Sequence, residues 1–347
     1  MTSIPTLNFW REDYVMAINQ ADKHPAKVWI DESQFNTELR PWFGQLPELA
    51  KDDFSFVVLG DRCGMATAGV FERALDIVRD LKPDFVMSVG DLIEGYWKHA
   101  ADARAEWEEL DAKIAASGIP FFQVVGNHDY GSMMMRDVWR ERKGLEYYAF
   151  RAGDALFLVL NTEDPPSEFP DEFIDIIKKA TAKVQQDPDN MAAHMQQFFN
   201  DIMSMLPPDQ LRNLSRIDLA ISDEQLAFAE RVLSDNRDAK WTFVSMHKPG
   251  WKSDSEQYRK LETLLEGRNH TIFAGHLHAM EYSLQGSQER IQMGRTGGHA
   301  HGTGPESENL FLWVNVRNGK PSYRVIELDG IREVESYEPQ PAHSAHR

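Results

Sequence analysis

The chain has a single cysteine, Cys63, among its 347 residues. A disulfide within the chain is therefore excluded, and one lone cysteine suits a reducing cytoplasm. No segment approaches the roughly 20 apolar residues that a membrane-spanning helix requires. The N-terminus also lacks the basic start and apolar run of a signal peptide. We therefore expect a cytoplasmic protein that does not insert into membranes.

Positive charge is also scarce. Lys and Arg together number 37 against 55 Asp and Glu, which gives a formal net charge of -18. Nucleic-acid binding depends largely on neutralising phosphates with basic side chains, so we expect no nucleic-acid partner. Hydrophobic residues make up 42% of the chain, which is ordinary for a globular protein with a sizeable core. The length fits about two domains or one large α/β domain, and the composition says nothing about oligomeric state.

Five short polar motifs are present, and each follows an apolar, β-rich run of the chain. Ligands bind at the carboxyl ends of the strands in an open α/β sheet, so these side chains should meet. Carboxylates, an amide and imidazoles together suit divalent metal ions. The pattern therefore predicts a hydrolase with two metal ions. The motifs are Gly60-Asp61, Gly90-Asp91, Gly126-Asn127-His128-Asp129, His247 and Gly275-His276-Leu277-His278.

Strand and helix patterns alternate from about residue 54 to residue 148, with helices expected over 67–80 and 100–116. This order predicts a parallel sheet with right-handed crossovers. A hairpin follows over 147–160, and residues 163–221 have the apolar spacing of an inserted helical cap. Ser222 to Gln225 form a capping-box pattern that predicts a helix to about 234. Short β-like runs after residue 278 suggest a second, largely antiparallel sheet.

The domain organisation that we expect has three parts. Residues 1–50 form an N-terminal arm, residues 51–330 form the main domain with its insertion at about 163–221, and residues 331–347 form a disordered tail. The arm should pack on the main domain through its aromatic residues, which are Trp10, Trp29, Phe35, Trp42 and Phe43.

In this order, the five motifs resemble the calcineurin-like metallophosphoesterase superfamily over roughly residues 54–328, apart from the helical insertion. The resemblance implies an α/β fold that is a four-layer α/β/β/α sandwich of two mixed β-sheets flanked by helices. It implies that Asp61 and His278 bind a first metal ion and that Asp91 bridges both ions. The second ion would be held by Asp91 with Asn127, His247 and His276. His128 would be a general acid or transition-state stabiliser, oriented by Asp129.

The chemistry that such a centre offers is hydrolysis of a phosphate ester. Two divalent ions roughly 3.5–4 Å apart can clamp the attacking and leaving oxygens, and water bound to a cation gives hydroxide near neutral pH. We expect Mn, Fe or Zn ions, with Mg also compatible, and a small-molecule phosphate monoester or diester as substrate. The alternative is a metal- or nucleotide-binding protein that has lost catalysis, and the intact His128 argues against it.

The first motif departs from the family pattern. The usual sequence is Asp-x-His, in which both ends bind the first metal, whereas this chain has Asp61-Arg62-Cys63. One branch of the superfamily has Asp-Arg-Thr at this motif, which resembles the Asp-Arg-Cys of this chain. Three interpretations remain open. Cys63 is a thiolate ligand that favours zinc or iron, or it is an inert buried residue and water takes the position, or the first site binds its ion weakly.

Four further residues are candidates for substrate binding. Arg62 could grip a phosphate through its guanidinium or pair with a carboxylate such as Glu94. Tyr130 could line a pocket or simply pack. His299 and His301 lie in a Gly-rich segment at 295–304, where they could contact phosphate or replace the missing ligand of the first motif. A flexible surface loop is the alternative for that segment.

Overall fold

The computed structural model describes residues 23–24, 26–206, 216–286, 288–302, 304–328 and 330–337. The strands in these ranges are β1 (Lys23–His24), β2 (Lys27–Trp29), β3 (Trp42–Phe43), β4 (Leu49–Ala50), β5 (Phe54–Leu59), β6 (Phe85–Ser88), β7 (Phe121–Phe122), β8 (Tyr148–Ala152), β9 (Ala155–Val159), β10 (Trp241–Ser245), β11 (His270–Ala274), β12 (Glu281–Gln285), β13 (Gln288–Gln292), β14 (Leu310–Arg317), β15 (Lys320–Glu327) and β16 (Gly330–Glu333). The α-helices are α1 (Val70–Leu81), α2 (Ala100–Ser117), α3 (Met133–Lys143), α4 (Asp171–Gln186), α5 (Met191–Met205), α6 (Asp223–Asp235) and α7 (Glu256–Leu265).

Two seven-stranded sheets carry the fold. The first has the order β16-β15-β14-β5-β6-β7-β3, and the second has the order β12-β13-β11-β10-β9-β8-β2. Strands β5, β6 and β7 are parallel to one another, as are β9, β10, β11 and β13. Antiparallel strands complete both sheets. Both sheets are therefore mixed, as the resemblance implied.

The alternation of side chains along β5 explains the layers, because successive residues of a strand point to opposite faces of its sheet. Phe56 and Val58 belong to the core between the two sheets. Val57 and Leu59 pack on the other face, in the cluster that α1, α2 and α3 cover. Helices α6 and α7 pack on the second sheet. The predicted four-layer α/β/β/α sandwich is confirmed.

Phenylalanine rings fill the middle of the sandwich. Phe56 lies 5.0 Å from Phe85 on its own sheet and 5.4 and 5.1 Å from Phe157 and Phe243 on the other, measured between ring centroids. Aromatic pairs of this kind add about 0.5–1.5 kcal/mol each beyond the burial of their area. These rings hold the two sheets together beneath the strand ends.

The strands after residue 278 do not form a sheet of their own, so that expectation was wrong. Strands β12 and β13 extend the sheet of β11, and β14, β15 and β16 extend the sheet of β5. The alternation of apolar residues identifies a strand but does not say which sheet edge it joins. Here the C-terminal strands cover one edge of each parallel core, which removes exposed backbone groups there.

Strands from the first 50 residues and from the C-terminal region complete the edges of the sheets. Strand β2, which contains Trp29, pairs with β8, and β3, which contains Trp42, pairs with β7. Trp10 lies outside the described residues, as does the segment from residue 338. The expected disordered tail begins too early at 331, because β16 pairs with β15 and Val334 is fully buried.

The described residues of the insertion form two α-helices, α4 and α5, as predicted. Its two ends are fixed beside the metal motifs by a buried ion pair. Lys248 Nζ lies 2.7 Å from a carboxylate oxygen of Glu163 and donates to the carbonyl of Asp218 at 2.7 Å. Two of the three N–H groups of the Lys248 ammonium therefore have partners within the protein. In the described part of the chain, no helix is both long and apolar enough to cross a membrane.

The capping box before α6 was wrong in its contacts, although the helix itself is present. Ser222 precedes the helix without a side-chain capping hydrogen bond. Gln225 is fully buried and binds the backbone of Asn161, accepting from its N–H at 2.9 Å and donating to its carbonyl at 3.1 Å. The end of β9 needs these hydrogen bonds, and tertiary pairing therefore overrides the local pattern.

Candidate metal centre

The polar motifs meet at one edge of the sandwich because each follows a strand of the two parallel cores. Asp61 follows β5 and Asp91 follows β6, while His247 follows β10. Asn127 lies in the loop that leaves β7, and His276 and His278 lie in the loop that leaves β11. The six predicted metal ligands are therefore presented from both sheets toward the gap between their carboxyl ends.

Four of these residues have a strained backbone. The φ angles of Asp61, Asp91, His276 and His278 are 49°, 55°, 73° and 50°. A positive φ is uncommon for residues with a side chain and costs of the order of 1–3 kcal/mol each. Such strain concentrates at functional sites, where the surrounding structure holds it in place. The strain marks this loop cluster as a site.

The glycines of the motifs allow the close approach. A side-chain carbon at Gly126 would lie 2.2 Å from Asp91 Oδ1, and one at Gly275 would lie 2.4 Å from Asp61 Oδ2. Both distances are below contact, so any larger residue would push the carboxylates out of position. The glycines are thus part of the site geometry.

At one end of the site, two imidazoles converge on the side chain of Asn127. Its Oδ1 lies 2.9 Å from Nε2 of His247 and 2.8 Å from Nδ1 of His276. The same His247 nitrogen lies 3.2 Å from Asp91 Oδ2. The Nδ1 of His247 lies 2.8 Å from the carbonyl of Val89, which leaves Nε2 for the site. We call Asp91, Asn127, His247 and His276 the amide end of the centre.

At the other end, Asp61, Asp91 and His278 place one ligand atom each within 4.8 Å of one another. His278 Nε2 lies 3.6 Å from Asp61 Oδ1, and its Nδ1 lies 2.7 Å from the carbonyl of His299. Asp61 Oδ2 is buried and has no hydrogen-bond partner among the described residues. A buried carboxylate oxygen without a donor fits a cation. We call these three residues the carboxylate end.

The electrostatics of the two ends also suit cations. Burial raises the pKa of Asp61 to about 8. Burial acts to raise the pKa of Asp91 as well, but His247 and His128 outweigh it and the pKa is lowered. Burial opposes protonation of His247, yet the Asp91 carboxylate raises its pKa to about 10. The cluster therefore holds protons that a bound cation would displace.

The donor set fits two cations that share one ligand. Asp91 belongs both to the group with His247 and His276 and to the group with Asp61 and His278. Burial lowers the pKa of His276 and of His278 far below the usual range, so both imidazoles are neutral and offer a lone pair. Mixed oxygen and nitrogen donors of this kind suit Mn, Fe and Zn.

His128 and Asp129 are both at the site, but they are not paired with each other as expected. His128 Nδ1 lies 2.8 Å from the carbonyl of Glu94, and its Nε2 lies 4.0 Å from Asp91 Oδ2. Asp129 is fully buried and accepts backbone N–H groups of Asp91, Leu92, Ile93 and Gly126 at 2.8–3.1 Å. Asp129 thus fixes the loop that carries Asp91, and the carbonyl of Glu94 orients His128.

Cys63 is buried next to Asp91 and His128. One potential ligand atom from each of the three residues lies within 4.8 Å of the other two, which is close enough to bind one ion together. Burial and then the negative charge of Asp91 raise the pKa of its thiol well above the ordinary value. A cation that coordinates a thiol deprotonates it, so the position of Cys63 fits both a thiolate ligand and an inert buried residue.

Arg62 and Tyr130 have other partners than a substrate at the metal centre. The guanidinium of Arg62 donates to the carbonyl of Leu92 at 2.9 Å and lies 5.6 Å from the centre of the Phe71 ring. It borders a separate cavity of about 340 Å³. Tyr130 is fully buried in the core beneath α2 and α3, which leaves it no surface for a substrate.

Residues 298 and 299 of the Gly-rich segment are anchored over the first motif by backbone hydrogen bonds. The N–H groups of Gly298 and His299 donate to the carbonyls of Asp61 and Gly64 at 3.0 and 2.9 Å. The rings of His299 and His301 lie 5.3 and 4.4 Å from the His278 ring, between centroids. Both candidate residues are therefore beside the carboxylate end.

Two residues that position the site were not among the predicted metal ligands and catalytic residues. Tyr96 accepts a hydrogen bond from Asn127 Nδ2 at 2.7 Å, which turns Asn127 Oδ1 toward the imidazoles. Glu94 accepts the N–H groups of Met65 and Ala66 at 3.0 and 2.6 Å and so fixes the loop after Cys63. Their position just after Gly-Asp is the only sequence signal that pointed to them.

The helical insertion packs on these same loops. Ile174 and Ile177 of α4 contact Tyr96, and Ala180 and Val184 contact Met65. Lys178 donates to the carbonyl of Gly95 and lies 3.3 Å from the centre of the Trp97 ring. The insertion is thus a cap whose α4 holds the loops after β5 and β6.

Comparisons with known proteins agree with this fold. The chain is similar in fold to a dimetal phosphatase from Danio rerio (12% identity, TM-score 0.55, 82% of this chain and 99% of that chain covered). It is also similar to the solved structure of PhoD (13% identity, TM-score 0.51, 84% and 73% covered). No curated protein sequence matches it. A sequence model described as calcineurin-like phosphoesterase matches residues 54–280, and the chain belongs to that family.

Proposed function

We propose that this protein is a metal-dependent phosphoesterase that hydrolyses a phosphate monoester or diester of a small molecule. The observation that carries the proposal is the position of Asp91, which belongs to both groups of potential ligands. A carboxylate shared by two cation positions is what a dinuclear hydrolase requires. Membership of the calcineurin-like phosphoesterase family supports metal-dependent phosphoester hydrolysis in general.

The residues at the two ends would hold the two ions. Asp61, Asp91 and His278 would hold one, and Asp91, Asn127, His247 and His276 would hold the other. When bound, the ions would neutralise phosphate charge and make water a stronger nucleophile. The donors are oxygen and imidazole nitrogen, which supports Mn, Fe or Zn, with Mg also compatible.

His128 would act on the leaving group. Its Nδ1 is held by the carbonyl of Glu94, and its ring meets the Tyr96 ring edge-on at 4.6 Å between centroids. That leaves Nε2 facing the space beside Asp91 Oδ2. As an imidazolium, His128 would donate the Nε2 proton to the leaving oxygen and return to the neutral ring.

A small substrate is supported by the surroundings of the site. Helix α4 covers the loops that carry Tyr96 and Met65. The formal charge of -18 disfavours a polyanion such as nucleic acid. The residues that bind the metal ions determine the type of reaction, whereas the helical cap and the surrounding loops determine which substrate is bound.

The test is hydrolysis of aryl phosphates by the purified protein with Mn, Zn, Fe or Mg. We expect turnover of p-nitrophenyl phosphate, of bis-p-nitrophenyl phosphate, or of both, and loss of turnover with a chelator. Binding of ions without hydrolysis of any ester in a broad phosphoester screen would favour a protein that has lost catalysis.

A further inference from the structure

The loop at 297–302 is held in place by its own set of hydrogen bonds. Arg295 donates to the carbonyls of Ser307 and Gly298 and to Asn309 Oδ1 at 2.7–2.9 Å. Asn309 Oδ1 also accepts the N–H of Gly297 at 3.0 Å. The Thr67 N–H donates to the carbonyl of Gly297 at 2.9 Å, which ties the loop to the first motif. These hydrogen bonds hold the backbone just before His299 against the first motif.

His299 has the hydrogen bonding of a metal-binding histidine. Its Nδ1 lies 2.7 Å from the carbonyl of Gly64. A histidine that binds a metal commonly donates its other ring N–H to a backbone carbonyl, which fixes the tautomer and leaves one lone pair for the ion. His247 and His278 have the same arrangement, with Nδ1 lying 2.8 and 2.7 Å from backbone carbonyls. In all three, Nε2 is the nitrogen that does not contact a backbone carbonyl and is left for an ion.

The ring geometry gives an internal comparison. At the amide end, His247 and His276 have ring centroids 5.2 Å apart and an interplanar angle of 79°. At the carboxylate end, His278 and His299 have centroids 5.3 Å apart and an angle of 63°. The second pair is thus spaced and tilted like the first, whose nitrogens both face Asn127 Oδ1.

We propose that His299 is a ligand of the cation at the carboxylate end and supplies the imidazole that position 63 lacks. His278 is shared between the group with Asp61 and Asp91 and the group with His299 and His301, so the two groups adjoin at one nitrogen-bearing ring. The proposal rests on the metal centre of the proposed function. It assigns a fourth ligand to the end that would otherwise have three.

His301 provides a matched control in the same loop. Its ring stacks on His278 at 4.4 Å with an angle of 10°, whereas the rings of His278 and His299 are inclined at 63°. His301 is exposed, whereas His299 is partly buried. His301 belongs to the same group of potential ligands as His278 and His299, so its removal tests whether the effect is specific to His299.

The experiment compares the metal content and affinity of His299→Ala, His299→Asn and His301→Ala with the unmodified protein. The asparagine variant keeps an N–H donor for the Gly64 carbonyl but lacks Nε2. Each protein is stripped with a chelator and titrated with Zn²⁺ by calorimetry, and bound zinc is counted by elemental analysis. Thermal unfolding of each stripped protein shows that it is folded.

We expect two zinc ions for the unmodified protein and for His301→Ala. In both His299 variants, one site should weaken by more than about 10–100-fold, the loss that removing a mere hydrogen-bond partner of a ligand causes. Two ions at unchanged affinity in His299→Asn would overturn the assignment, as would an equal loss in His301→Ala. If the unmodified protein binds no ion, both the assignment of His299 and the proposed function fail. If it binds two ions but hydrolyses no ester, the proposed function fails and the assignment of His299 stands or falls on the binding data.

Discussion

The two ends of the metal centre are built from different parts of the chain. At the amide end, each ligand comes from a loop that directly leaves a strand of a parallel core, and Asn127 touches both imidazoles. At the carboxylate end, Asp61 and His278 have the same origin, but position 63 carries a buried thiol. Two further imidazoles lie beside this end, in a loop of residues 297–302 after β13.

The difference shows that the first motif can lack its imidazole while another part of the chain places an imidazole nearby. The loop at 297–302 lies directly on the first motif, and a side-chain carbon at Gly64 would be 3.4 Å from Nδ1 of His299. A centre whose two ends differ in this way should bind its two ions unequally. The following predictions test that inequality.

The largest effect is expected for Asp91→Asn, because Asp91 is the one carboxylate common to both ends. The variant should bind fewer than two ions and lose activity by more than the about 10²–10³-fold that removal of one transition-state hydrogen-bond donor costs. Metal analysis and aryl phosphate hydrolysis measure this. Asp137→Asn is the matched control, since that side chain is 68% exposed on α3. Retention of both ions and of activity in Asp91→Asn would rule out a bridging role.

His128→Asn should separate chemistry from metal binding. Asparagine keeps an N–H donor for the Glu94 carbonyl but has no proton to give at the position of Nε2. We expect kcat to fall by about 10²–10⁴-fold with both ions retained. The deficit should be larger for phenyl phosphate than for p-nitrophenyl phosphate, because the poorer leaving group needs the proton more. Equal deficits would contradict a general acid.

Removal of metal should destabilise the folded protein. The site buries the carboxylates of Asp61, Asp91 and Asp129, and a cation that binds only the folded state adds about 2.7 kcal/mol at a concentration of 100 Kd. Differential scanning calorimetry should show a lower Tm with a chelator, and the Tm should recover in two steps as metal is added back. A single step with one ion would mean that the carboxylate end stays empty.

The smallest effect is expected for Cys63→Ala. Cys63 is fully buried, and an unligated buried cysteine behaves as a small apolar residue. We therefore expect both ions to stay bound, with a loss of stability of about 1 kcal/mol for the small buried side chain. The cobalt-substituted protein should lack a sulfur-to-metal charge-transfer absorption. Such a band in the unmodified protein, lost in the variant, would show that Cys63 is a ligand.

Much of the amide end could be predicted from the sequence because its ligands directly follow apolar runs. Strand identity and chain order were enough to bring Asp91, Asn127 and His247 to one edge. The fold class followed from the same pattern together with the family resemblance. What that pattern encodes is local: which residues form a strand, and which one comes next.

The contacts that depend on distant parts of the chain could not be predicted in this way. No local pattern shows that β14 pairs with β5. Nor does one show that Gln225 hydrogen-bonds the backbone of Asn161 and does not cap its own helix, or that Asp129 accepts backbone N–H groups of the Asp91 loop. The position of His299 over Gly64 is of the same kind, since it depends on how β13 and β14 join different sheets.

The most direct test of a dinuclear phosphoesterase is the hydrolysis rate as a function of ions bound per chain. Metal-free protein is titrated with Mn²⁺ or Zn²⁺, and p-nitrophenyl phosphate hydrolysis is followed beside elemental analysis. We predict no hydrolysis without metal, little with the first ion and the maximal rate when the second ion is bound. A rate that is maximal with one ion, or that does not depend on metal, would contradict the account.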